Sequence, residues 1–123
     1  VGINNYVLTY DHVNTTWKAL APAGGGSSYT YEAKVNADSP VTAAIDYHYS
    51  CDTSSGAITV NLPALSNANK GKEIRIKLKE AGNNLTLDGN SSETLDGSGT
   101  YILNVKNQSV TLVSDGSGNW EII

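Results

Sequence analysis

Phenylalanine and methionine are absent from this sequence, cysteine occurs once, and only eight of its 123 residues are lysine or arginine. Each shortage excludes something. A single cysteine, Cys51, rules out an intrachain disulfide, so a packed core has to hold the domain together. Eight basic against twelve acidic residues give a net charge of -4, which favours solubility and argues against a general nucleic-acid binder. No apolar run approaches the roughly 20 residues of a membrane-spanning helix, so no membrane insertion is expected. No charged-then-apolar leader is visible, and the chain begins "VGINNY" without methionine, which reads as a piece of a longer polypeptide. The histidines are only His12 and His48, and no stretch carries a 3.6-residue apolar period.

What is present is strand and turn material. Tyr, Thr, Val and Ile favour pleated, half-buried surfaces, while twelve Gly and many Asn, Asp and Ser supply turns. In "AITVNLPALSNANKGKEIRIKLKE" (residues 57–80), Ile58, Val60 and Leu62 take alternate places, as do Ile74, Ile76 and Leu78 after a polar loop. Between the second set stand Glu73, Arg75, Lys77 and Lys79. A period of two predicts strands, here dry on one face and charged on the other. Further candidates recur about every ten to twelve residues: "YTYEAKV", "VTAAIDYHYSCD", "NLTLDGN", "TYILNV", "QSVTLVSD" and the closing "WEII". Asp-Gly pairs at 88–89, 96–97 and 115–116 mark tight turns. The expected fold is all-β, an antiparallel sandwich or jelly-roll-like domain.

The first segment, "NNYVLTYDHVNTTWKALAP", reads as strand, turn, strand, a hairpin too small to stand alone in water. Pro22 and the run "GGGSS" follow it, the composition of a flexible linker. The expected organisation is an N-terminal hairpin or attachment segment over 1–23, a linker over 24–28, and a main β domain over 29–123.

Catalysis finds poor material here. Cys51 lies three residues after His48, which on strand geometry puts the two on opposite faces, so a thiolate–imidazole pair is not expected. The "GSG" and "GGG" runs lead into no helix and carry neither a nucleophile-elbow nor a phosphate-loop pattern. Glu93 with Asp96 or Asp115 offers carboxylates for glycoside hydrolysis, but Asp in an Asp-Gly turn is first of all turn chemistry. No catalytic residue, metal site or cofactor is expected. Asn-x-Ser/Thr sequons at Asn14, Asn84, Asn90 and Asn107 arise readily in a chain so rich in Asn and Ser.

Two surfaces stand out. Arg75, Lys77 and Lys79 project from one strand face, either as a groove for an anionic polymer or glycan, or as a solvated face whose charges deter edge pairing. Tyr29 and Tyr31 share a face of one strand, as do Tyr47 and Tyr49 of another, and paired across strands they would form a stripe of four rings. Core, subunit interface and ligand platform are all open to such a stripe. With Trp17 these tyrosines are the candidate interface or glycan contacts. His48 points away from Tyr47 and Tyr49, and would face a metal only if three copies met on an axis.

The run from "GAITVNLPALSNANKGKEIRIKLKE" to "VTLVSDGSGNWEII" resembles a module of bacteriophage fibre and other virion-surface proteins. The shared pattern is an "itv.LP" strand, "GK.I.IK", "n.vTl.g...e.idG" and a terminal "..vtLvSDG..W.ii". It is carried by residues 58–63, 71–77, 85–89, 93–97 and 110–123, within a run of roughly the last 67 residues that makes up more than half of the chain. The "NNYVLTYDHVNTTWKALAP" segment is similar to another fibre element, "g.vLtyd...g.W.". The resemblance implies a non-enzymatic homotrimer on the virion surface, produced in the host cytoplasm. It would join other virion proteins through its N-terminal segment and touch a host surface glycan. Residues 29–51 match the pattern least. The alternative is a carbohydrate-binding module of a secreted bacterial protein, monomeric and binding glycan through exposed Tyr or Trp.

Overall fold

The computed structural model describes residues 10–11, 16–17 and 28–123. Its strands in chain order are β1 (Tyr10–Asp11), β2 (Thr16–Trp17), β3 (Thr30–Val35), β4 (Val41–Thr42), β5 (Tyr47–Asp52) and β6 (Ile58–Asn61). They continue with β7 (Glu73–Glu80), β8 (Leu85–Asp88), β9 (Thr94–Leu95), β10 (Thr100–Leu103), β11 (Ser109–Ser114) and β12 (Asn119–Ile122). Single 3₁₀ turns at Asn36–Asp38 and Asn67–Asn69 are the helical pieces among the described residues. β1 and β2 pair antiparallel, Tyr10 opposite Trp17, where the sequence reads strand, turn, strand. The rest of the expected attachment segment over 1–23 and linker residues 24–27 lie outside the described residues.

Residues 28–123 are all-β and hold two sheets, a four-stranded one in the order β10-β8-β6-β4 and a six-stranded one in the order β3-β5-β7-β11-β12-β9. Both are mixed, which corrects the antiparallel expectation. β3–β5, β5–β7 and β9–β12 are parallel, as are β4–β6 and β6–β8. β8–β10, β7–β11 and β11–β12 are antiparallel. The cause is the route of the chain. From β3 to β11 successive strands belong alternately to the two sheets, so each excursion into the other sheet serves as the crossover that a parallel pair needs. In the expected hairpin succession, Ile58–Asn61 would pair with the strand after it; instead it lies between β8 and β4, and β7 joins the other sheet.

Alternation nevertheless sorts the faces as read. Ile58, Val60, Leu62, Ile74, Ile76 and Leu78 are buried, while Arg75 between two of them and Lys79 just after Leu78 are exposed. Leu85, Leu87, Leu103, Leu112, Trp120, Tyr49 and Cys51 join them in one apolar cluster to which both sheets contribute. Each fully buried aliphatic side chain in that cluster is worth about 1.5–3 kcal/mol.

The Asp-Gly turns differ among themselves. Asp96 (φ 46) and Gly97 (φ 87) form the two-residue turn such a pair prefers, and Leu95 and Ser98 exchange backbone hydrogen bonds of 2.6 and 3.0 Å across it. Asp115 also turns the chain: its Oδ1 accepts the backbone N–H groups of Ser117, Gly118 and Asn119 at 2.8, 3.0 and 3.0 Å. Those bonds hold its carboxyl below the usual range and close the β11–β12 hairpin. Asp88-Gly89 is not a tight turn. Asp88 ends β8, the turn falls at residues 90–93, and Ser91 takes its positive φ of 56.

Candidate functional site

Four neighbouring strands of the six-stranded sheet build the most distinctive surface. In the observed register Tyr31 of β3 lies opposite His48 of β5, His48 opposite Arg75 of β7, and Arg75 opposite Thr111 of β11. One row along, Ala33, Ser50, Lys77 and Ser109 stand opposite one another in the same order. Residues directly opposite share a face, so this face carries a ring pair, two cations and four small residues. It is the side of β7 turned away from Ile74, Ile76 and Leu78.

The side chains engage one another closely. The Tyr31 and His48 rings are stacked, 5.5 Å between centroids and 11° between planes. Tyr31 keeps 61% of its surface exposed. The Arg75 guanidinium carbon sits 4.0 Å from the centroid of the Tyr29 ring, a cation–π contact worth about 0.5–1 kcal/mol at an exposed position. The Tyr29 hydroxyl donates to Glu73 Oε1 at 2.5 Å, and that bond is the main reason its pKa is raised. Glu73 also approaches Arg75, at 3.9 Å. His48 is pushed below its ordinary value by partial burial first and then by Arg75 and Lys77. A shallow recess lined by Ser28, Tyr29, Asp46, Gly71, Lys72, Glu73 and Arg75 adjoins the pair.

The four-ring tyrosine stripe is not formed, and this is a correction. The parallel register sets Tyr31 opposite His48, which throws Tyr29 and Tyr31 onto one face and Tyr47 and Tyr49 onto the other. Tyr47 and Tyr49 stack on each other with centroids 5.4 Å apart, and Tyr49 is core, only 2% exposed. On their side of β3 stand Glu32 and Lys34, ion-paired at 2.9 Å. Charges turned inward at the edge of a sheet deter further strand pairing. The basic residues of β7 cannot have that role, because β7 is an interior strand between β5 and β11. Arg75 and Lys77 belong to the aromatic face, with exposed Lys79 next along the strand. The side chain of Trp17 lies outside the described residues.

His48 is the residue that sequence reasoning undervalued. Its alternation against Tyr47 and Tyr49 already placed it on the outer face, yet its partnership with Tyr31 depends on a parallel register that alternation does not encode. Cys51 is fully buried on the opposite face of β5, its thiol pushed up to about 12 by burial. The carboxylates weighed for hydrolysis are engaged by backbone: Glu93 accepts the N–H of Leu65, and Asp96 that of Ile122. Among the described residues no group of three His, Cys, Asp or Glu side chains is placed to hold a metal ion. Compared with known proteins, the chain matches no family model and no curated sequence.

Proposed function

We propose that this chain is a non-enzymatic structural component of a bacteriophage particle, a trimeric fibre or capsid-surface domain whose outer sheet face contacts a partner such as the host cell surface. In this reading the two sheets are the layers of a sandwich, residues 1–23 join the domain to other virion proteins, and the assembled particle carries it on its surface.

The observation that carries the reading is a division of roles along the chain. Most residues of the fibre-like pattern are spent on the fold: Ile58, Val60, Leu62, Ile74, Ile76, Leu85, Leu87, Leu95, Leu112 and Trp120 are buried, and Asp96-Gly97 and Asp115 make turns, while its Lys77 stands on the outer face. Residues 29–51, which match it least, supply Tyr29, Tyr31 and His48 to the aromatic face. A scaffold of generic strands with an individual face grafted on one side suits recognition, since a rigid sheet holds contact groups at little entropic cost.

Light scattering on a size-exclusion column, at several concentrations, tests the assembly. The expected mass is about three times the 13.0 kDa of the chain, independent of concentration, as a closed symmetric oligomer requires. A monomer throughout would sink the trimeric reading and favour the second one, a carbohydrate-binding module. That alternative draws on the Tyr31–His48 stack, whose exposed ring is a platform of the kind sugars occupy.

A further inference from the structure

We infer that the outer face of β3, β5 and β7 is a binding site for an acidic saccharide, with a sugar ring laid on Tyr31 and its carboxylate held by Arg75 and Lys77. The inference rests on the proposed role of this face in contacting a partner, and it names the chemistry of the ligand.

Several observations converge on it. Tyr31 is the open ring: His48 is stacked parallel to it and 61% of its surface remains accessible, whereas Tyr29 is covered by Arg75. The stack holds the Tyr31 ring before a ligand arrives, which lowers the ordering cost of binding. Arg75 is about half exposed, and its nearest carboxylate, Glu73 at 3.9 Å, already accepts the Tyr29 hydroxyl. That separation is well beyond the about 2.7–2.9 Å of a tight charged hydrogen bond, so the guanidinium fork can still take a ligand carboxylate.

Lys77 follows on the same face, and Ala33, Ser50, Ser109 and Thr111 around the cations are all small. The row through Lys77 is therefore low. His48, opposite both Tyr31 and Arg75, stands between the ring and the guanidinium, so a ligand reaches the cations over the imidazole or along that low row. Tyr31 and Arg75 stand two strands apart, about 10 Å at the backbone, a span that a short oligosaccharide bridges. Of the acidic side chains nearby, Asp46 and Glu73 line the recess at the Tyr29 end, which Arg75 shares, Glu73 is bonded to the Tyr29 hydroxyl, and Asp52 beyond Ser50 is bonded to Ser54. His48 is pushed below its ordinary value by partial burial first and then by Arg75 and Lys77, so it lies within the field of both cations.

A single-stranded nucleic acid shares the negative charge but would want successive open rings. This face offers only Tyr31 as an open ring among the described residues, on a chain of net charge -4.

Calorimetric titration of the whole chain with an oligogalacturonate tests the site, with its fully methyl-esterified form and oligothymidylate as comparisons. The acidic oligomer should bind at least about tenfold more tightly than the ester, and Tyr31→Ala and Arg75→Gln should each weaken it by about tenfold or more. Lys34→Gln, on the opposite face, should leave it unchanged. Both site residues are well exposed, and native mass with near-ultraviolet dichroism checks that each variant is folded. Arg75→Gln alone decides the matter should Tyr31→Ala misfold.

Equal binding of acid and ester, tighter binding of oligothymidylate, no binding, or unaffected variants would each overturn the inference. A trimer that adsorbs to cells but ignores the uronate removes this ligand and leaves the fibre reading standing. A monomer that binds it through Tyr31 and Arg75 does the reverse.

Discussion

The hydroxyl of Tyr49 accepts the backbone N–H of Ala44 at 2.8 Å, fastening β5 to the loop that brings the chain across from β4. Every crossing between the two sheets leaves loop backbone that no ladder satisfies, and here a core side chain supplies the partner. Tyr49→Phe keeps the ring and removes the acceptor, so it should cost about 1–3 kcal/mol. Tyr49→Ala also opens a cavity and should cost about 3–5 kcal/mol. Urea unfolding with an unchanged m-value measures both. A Phe variant as stable as the parent would show that the Ala44 N–H does not depend on the hydroxyl.

The same residue shows how far the sequence was legible. Period-two alternation identified the buried set of β6 and β7 correctly, because side-chain direction in a strand is a local property. It could not say which strand lies beside which, since faces carry no record of partners. Tyr29, Tyr31, Tyr47 and Tyr49 therefore looked like one stripe, although the register Tyr31 to His48 sends them to opposite faces. Edge strand β3 misleads further, with Glu32 and Lys34 on the core side and Tyr31 outside. The charged stretch of β7 was readable as an outer face, but its neighbours Tyr31 and His48 emerge only from parallel pairing through the other sheet.

Gly89 offers a test of the crossing between β8 and β9. A Cβ built there would collide with the carbonyl oxygen of Glu93, a backbone atom that cannot step aside like a side-chain end. Gly97 has a positive φ of 87 but open space around it. Gly97→Ala should thus cost only about 1–2 kcal/mol of backbone strain. Gly89→Ala should cost more, through overpacking that forces the loop to move. Thermal unfolding of the two variants side by side gives the order, and the opposite order would mean that the 89–93 loop yields easily.

Cys51 should be inert in the folded protein. It is fully inaccessible, and burial pushes its thiol up to about 12, so both access and thiolate are lacking near neutral pH. A chromogenic disulfide reagent should leave it unlabelled over hours in buffer and titrate one thiol per chain in denaturant. Rapid labelling of the native protein would mean that the core around β5 opens far more readily than its packing implies. Cys51→Ser places a hydroxyl in the same apolar site and should destabilise by about 1–3 kcal/mol.

His48 gives the domain a pH dependence whose sign follows from its surroundings. Tyr31 of β3 is stacked on it, Arg75 and Lys77 of β7 face it, and partial burial lowers its pKa below the ordinary 6.5. The unfolded chain therefore takes up a proton near pH 6.5, while the folded chain waits for a lower pH, so unfolding is favoured as the pH falls through that window. Above pH 6.5 the contribution to stability is fully present, and below the folded value its loss is complete. Comparing the parent with His48→Gln by urea unfolding from about pH 8 to about pH 5 cancels the titration of the other groups. The difference between them should be flat above about pH 6.5 and should shift in favour of the variant below it. A difference independent of pH would mean that burial and the two cations together leave the imidazole with no net shift. A shift toward the parent on acidification would mean that Asp46 or Glu73 outweighs both burial and the two cations at this face.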